Sequence, residues 1–259
     1  MASGSVSNAT KVIVAVVVVA MIGVAWAVAS RRAGTSIASY YPLEVGNTWS
    51  YQTTQRGHTS GALEVAETTR LGTMEQSVVG VSRLSSNELP IFEVSQKVYQ
   101  TNSEDGSAPP TESVLHLSAT PTAITLHAVD AEGAEGSDLP EPVSLLTDPP
   151  ATEPVTIEQG SLQISLAVTS QEVEGIEVPA GSFPDALKIV AEGPVSGAVS
   201  DIPIHVGKIT ETTWFVRDVG VVRQDRALEY TLKSEDGGEI RVEESIERVL
   251  TDFSKATDD

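Results

Sequence analysis

The chain has 259 residues, 16 of them Lys or Arg and 36 Asp or Glu, for a formal net charge of −20 at pH 7. All 36 acidic residues lie after Arg32, so the bulk of the chain repels nucleic acid and anionic head groups, and no nucleic-acid partner is expected. Having no Cys, the chain can form no disulfide, thiolate zinc site, Fe–S cluster, Cys nucleophile or lipidated-Cys anchor.

Residues 1–11 form a polar N-terminal tail ending in Lys11. Val12–Ala29 then reads VIVAVVVVAMIGVAWAVA, without a charge or a Pro. As a helix these 18 residues would span roughly 27 Å, close to the ~30 Å hydrocarbon thickness of a bilayer. The run is longer than the usual apolar region of a signal peptide, and Trp26 suits an interfacial position. Residues 12–30 are therefore expected to be an uncleaved transmembrane anchor. The alternative is a signal peptide cut after Ala27-Val28-Ala29 and a secreted protein. Lys11 on one side and Arg31 with Arg32 on the other leave orientation undecided by charge.

After a tether, 31–39, residues 40–253 read as one β domain, followed by a polar tail, 254–259. Two domains divided near Asp148–Pro154 are the alternative. Thr48–Gln55 alternates, with Trp49, Tyr51 and Thr53 on one face, and predicts a strand. Further strands are expected at Ala62–Leu71, Gln76–Leu84 and Pro90–Gln100, with a loop over 102–112. Leu115 and Leu117 against Ile124, Leu126 and Ala128 predict a hairpin with the loop Thr120–Ala123. In that register Leu117 faces Leu126 and His116 faces His127. The Gly-, Pro- and acid-rich stretch 130–154 is expected to be an exposed loop, broken only by Val143–Leu146.

Leu162, Ile164, Leu166 and Val168 mark the cleanest half-buried strand. Strands at Ala186–Glu192, Lys208–Arg217, Val221–Asp225, Ala227–Ser234 and Glu239–Val249 complete the pattern. A three-residue loop at Asp236–Gly238 would set Leu232 opposite Val242. No stretch after Arg32 holds a helical period over three turns. The expected fold is all-β and antiparallel, an open barrel or a sandwich, behind one N-terminal transmembrane helix.

Three segments, PLEVGNTWSY (Pro42–Tyr51), VPAGSFPDALKI (Val178–Ile189) and TWFVRDVGVVRQ (Thr213–Gln224), resemble a group of uncharacterised exported bacterial proteins and lipoproteins, some labelled TapB-like. The resemblance covers under a sixth of the chain. It implies an extracytoplasmic antiparallel β domain, akin in shape to the open barrel of LolA/LolB-type carriers. It brings no catalytic residues, and this chain departs from it in lacking the lipidated Cys and in its long acidic insertion.

No G-x-S-x-G elbow, P-loop or G-x-G-x-x-G occurs. Asp130, Glu132 and Glu135 lack calcium-loop spacing. His116 and His127 would give a metal two ligands where three or four are needed. No catalytic residue, metal or cofactor is therefore assigned. Aromatic residues make up only 5% of the chain, so the concentration of Trp49, Tyr51, Trp214 and Phe215 in two of the three segments points to core packing or to the wall of an apolar ligand pocket. The expected function is non-catalytic, a binding or scaffolding domain of the cell envelope. It would be membrane-bound through Val12–Ala29, with the large domain outside the cytoplasm and a protein partner or a lipid-like ligand. The alternatives are a carrier or sensor of an apolar ligand and an extracytoplasmic hydrolase.

Overall fold

The computed structural model describes residues 36–61, 65–83, 89–101, 110–131, 137–147, 154–159, 161–199, 202–233 and 238–256. The expected anchor at Val12–Ala29 lies outside them. Among the described residues no helix is long and apolar enough to cross a membrane. A single 3₁₀ turn, Ile37–Tyr40, precedes twelve strands: β1 Thr48–Gly61, β2 Val65–Arg83, β3 Pro90–Thr101, β4 Thr111–Ala119, β5 Ala123–Ala131, β6 Ser137–Thr147, β7 Val155–Gln159, β8 Leu162–Val178, β9 Gly181–Val199, β10 Ile202–Val216, β11 Gly220–Lys233 and β12 Glu239–Ser254.

The twelve strands form one antiparallel sheet in the order β6-β5-β4-β3-β2-β1-β12-β11-β10-β9-β8-β7. Each strand pairs with its neighbour in sequence, and β1 pairs with β12. Among the described residues the sequential pair that does not hydrogen-bond is β6–β7. The described strands thus form an up-and-down barrel, nearly closed, with a seam between β6 and β7. Chemistry keeps the seam open: β6 carries Pro140 and Pro142, which offer no N–H to a ladder, and β7 is only five residues long. Side chains bridge the gap instead. Val143 of β6 packs on the same cluster as Val155 and Ile157 of β7, namely Ile164, Leu166, Ala191, Val195 and Ile209.

Several elements differ from expectation. Much of the stretch expected as a loop over 130–154 is the edge strand β6. The two strands expected at 62–71 and 76–84 are one, β2, and Gly72 within it is a close approach: a Cβ there would strike the Tyr99 carbonyl of β3. Leu117 does face Leu126, but a bulge at that point sets His116 opposite Ala128 and not His127. In the last hairpin Lys233 pairs with Glu239, so Leu232 faces Ile240 and Tyr230 faces Val242. The faces are as expected and the register is two residues off.

Candidate functional site

One end of the barrel is stoppered by the segment between Ser36 and Asn47. The Ile37 amide donates to the Pro121 carbonyl in the β4–β5 turn at 2.8 Å, and the Asp218 amide in the β10–β11 turn donates to the Ser39 carbonyl at 2.6 Å. Ile37 and Tyr40, both buried, cluster with Ile124, Leu146, Leu187, Ile189 and Phe215. Asn47 holds the corner: its Nδ2 donates to the Pro42 carbonyl at 2.9 Å and its Oδ1 accepts from the Ala256 amide at 2.8 Å. Trp49 stacks on Phe253 at 5.5 Å between ring centroids and tilts against Tyr41 at 5.7 Å. Its indole N–H donates to the Val219 carbonyl, and the Tyr51 hydroxyl donates to the Val221 carbonyl at 3.1 Å. Gly220, at φ 106°, lets the turn lie against that indole, since a Cβ there would stand 3.2 Å from Nε1. The Ala180 amide donates to the Leu250 carbonyl, which docks the β8–β9 turn on β12. The three segments that carry the resemblance therefore converge on this stopper.

Below the stopper the lumen is filled by a belt of polar side chains at inward positions: Gln76, Gln96, Glu211, Thr213, Gln224, Arg226 and Arg248, all buried. Arg226 Nε and one terminal nitrogen donate to Glu211 Oε2 at 3.0 and 2.6 Å. The Arg248 guanidinium lies 5.6 Å from the Tyr51 ring centroid. Burial lowers the Arg248 pKa. Burial likewise pushes the Tyr51 hydroxyl well up and the Tyr41 hydroxyl up to about 12, the latter against the opposing effects of Arg248 and a bond with Gln76. Further along the lumen, burial raises the Glu244 carboxyl, with Arg70 opposing.

A cavity of about 40 Å³ remains between this belt and the stopper, lined by Tyr41, Leu117, Leu146, Phe215, Gln224 and Arg248 among others. That is room for a few waters, against ~300–1,000 Å³ for a typical ligand site. A shallower groove of about 340 Å³ lies across β2, β1, β12 and β11 and carries Arg56, His58, Glu67, Glu229 and Glu243. Among the described residues no group of three His, Asp or Glu side chains could hold a metal.

Of the four aromatic residues singled out in the sequence, Phe215 reaches the cavity. Trp49 and Tyr51 are packed into the stopper and the core beneath it. Trp214 shares their buried cluster but lies on the other face of β10 from Thr213 and Phe215. It is covered by Lys188 at 5.7 Å and Arg223 at 5.4 Å, and its N–H donates to Glu174 at 2.6 Å. Sequence reasoning passed over the polar belt. The signal was present in β11, where Gln224 and Arg226 continue the inward parity of Leu228, Tyr230 and Leu232.

No family model matches the chain, and no curated protein does. Two solved structures align over most of its length. One is a candidate lipoprotein from Parabacteroides distasonis ATCC 8503, at 14% identity and TM-score 0.41, covering 86% of this chain and all of that one. The other is Ail, the attachment invasion locus protein of Yersinia pestis, at 4% identity and TM-score 0.20, covering 80% of this chain and 99% of that one. At these scores neither likeness carries an argument, and the barrel is read from its own strand pairing.

Proposed function

We propose that the protein is a membrane-tethered, non-catalytic barrel of the cell envelope that works through its outer surface, as a binding or scaffolding domain outside the cytoplasm. The observation that supports this is the packing beneath the stopper. Among the described residues the cavity between stopper and polar belt is about 40 Å³, which favours an interior that packs as a core at that level and recognition on the outside. The tether and the compartment rest on the apolar run Val12–Ala29 and on the resemblance to exported proteins.

An over-packing variant tests the filled lumen. Leu117, fully buried, faces the cavity. Leu117→Trp forces a bicyclic ring into that space and should cost at least ~1–3 kcal/mol in a urea melt of residues 33–259. Unchanged stability would mean a lumen with room to spare. The compartment is tested by a phosphatase fused after Asp259, which should be active; activity of a cytoplasm-only reporter there would reverse the orientation.

A carrier of an apolar ligand is the second reading. It is favoured by the unpaired β6–β7 seam beside a cavity with an apolar wall and polar groups at one side.

A further inference from the structure

Among the described residues the buried charged side chains are Glu211, Arg226 and Arg248. Two guanidiniums against one carboxylate leave the interior one positive charge in excess. Glu211 is already committed: one oxygen accepts from Arg226 at 3.0 and 2.6 Å, and the other accepts from the Thr213 hydroxyl at 3.5 Å. The two phenols that act on Arg248 do not restore the balance. Burial holds Tyr41 up at about 12 and Tyr51 well up, so both stay neutral at pH 7. The carboxyl further along the lumen, Glu244, is raised by burial and set against Arg70, so it adds no net negative charge. A guanidinium keeps its proton in a protein, and a buried charge is costly unless another charge offsets it.

The small cavity lies against this excess charge. Thr213 of β10 pairs with Gln224 of β11, and Gln224 pairs with Arg248 of β12, so the three inward side chains stand in one row across the wall. The Tyr51 ring covers Arg248 at 5.6 Å from the ring centroid, and Arg248 also lines the cavity. Gln224, Gln76 and Tyr41 complete its polar side, and Leu117, Leu146 and Phe215 form an apolar wall. A guanidinium and two carboxamides can turn N–H donors inward, whereas no carboxylate lines the space. Its volume of about 40 Å³ admits about three waters, at ~10–15 Å³ each. A dianion would overbalance the single charge, and a carboxylate with a long tail would not fit. We propose that this cavity is a halide site, in which Arg248, Gln224 and Gln76 hold one chloride ion as part of the core.

The test is urea unfolding of the full chain in a nonionic detergent, followed by far-UV circular dichroism. Chloride is raised from the millimolar to the molar range, with gluconate, too bulky for the cavity, keeping the ionic strength fixed. A chain of net charge −20 repels anions from its surface, so the contribution of surface binding is small. Only the folded chain has the site, so the unfolding constant should fall about tenfold for each tenfold rise in chloride above the dissociation constant. Arg248→Met keeps the length of the side chain and removes its charge, and the chloride dependence should vanish with it. An unfolding constant of the wild type that ignores chloride overturns the proposal. So does a dependence that survives in Arg248→Met, because the ion would then act elsewhere. Should Arg248→Met fail to fold, wild-type crystals grown in sodium bromide decide the matter. An anomalous peak beside Arg248 and Gln224 bears the proposal out, while peaks on the outer surface alone, or none, would mean an adventitious ion only and overturn it.

Discussion

Trp49 is the side chain on which the stopper turns, and truncating it to Ala measures what the stopper contributes. The ring is 2% exposed, stacked on Phe253 and tilted against Tyr41, and bonded to Val219 across 170 residues of sequence. A buried Trp removes ~150–250 Å² from water, which at ~25 cal/mol per Å² is an upper bound of ~4–6 kcal/mol. Truncations of buried Trp and Phe typically cost ~3–5 kcal/mol, and the Val219 carbonyl also loses its donor. Trp49→Ala should therefore lose ~3–5 kcal/mol, a large share of an ordinary domain's ~5–15 kcal/mol. Trp49→Phe keeps most of the stacking and should lose ~1–2 kcal/mol, largely the bond and the vacated ring volume. Urea melts of residues 33–259, followed by far-UV circular dichroism, give both values at unchanged slope. A Trp49→Ala variant within ~0.5 kcal/mol of wild type, the range of a neutral surface change, would refute the view that this end is a packed stopper.

The buried pair Glu211–Arg226 gives an asymmetric result. Glu211→Gln alone should destabilise by ~3–5 kcal/mol because Arg226 stays buried beside a neutral group, while Glu211→Leu combined with Arg226→Met should come back to wild-type stability or better. A double variant as unstable as the single one in urea melts would mean that the pair does more than balance charge. Glu244 makes stability depend on pH. Its carboxyl is raised by burial above the ordinary value of 4.5, so folding takes up a proton, and the fold loses stability as pH rises through the folded value. Glu244→Gln should thus be more stable than wild type at pH 7, and the gap should shrink as pH falls towards 4.5 and stay level below it. Thermal melts across that range check the sign, and a gap independent of pH would contradict it.

The parts legible in the sequence are those where local chemistry decides. Alternation in Leu162–Val168 marks β8 because one face of that strand is wet and the other dry. The hairpin at Leu117 and Leu126 is legible because Thr120 closes a tight loop, its hydroxyl accepting from the Ala123 amide. What was missed depends on tertiary contact. The bulge that parts His116 from His127 has no residue signature. β6 hides behind prolines because an edge strand tolerates them. The break left between Leu71 and Gln76 is closed by pairing, with the Tyr99 backbone of β3 pressing on Gly72. The polar belt was missed for the opposite reason: Gln76, Glu211 and Arg248 read as solvent-facing in a strand unless the barrel closes over them. The four aromatic residues could be called core or pocket from sequence, and only the packing around each one distinguishes the two.

The central claim, that the lumen is a core and not a ligand cavity, is tested most directly by equilibrium titration of residues 33–259 with a dansyl-labelled eleven-carbon fatty acid. With about 40 Å³ of space beneath the stopper, the dansyl emission should rise weakly and without saturation, and the rise should be the same in Leu117→Trp. Saturable uptake of one molecule per chain, abolished by Leu117→Trp, would contradict the account and establish the barrel as a carrier.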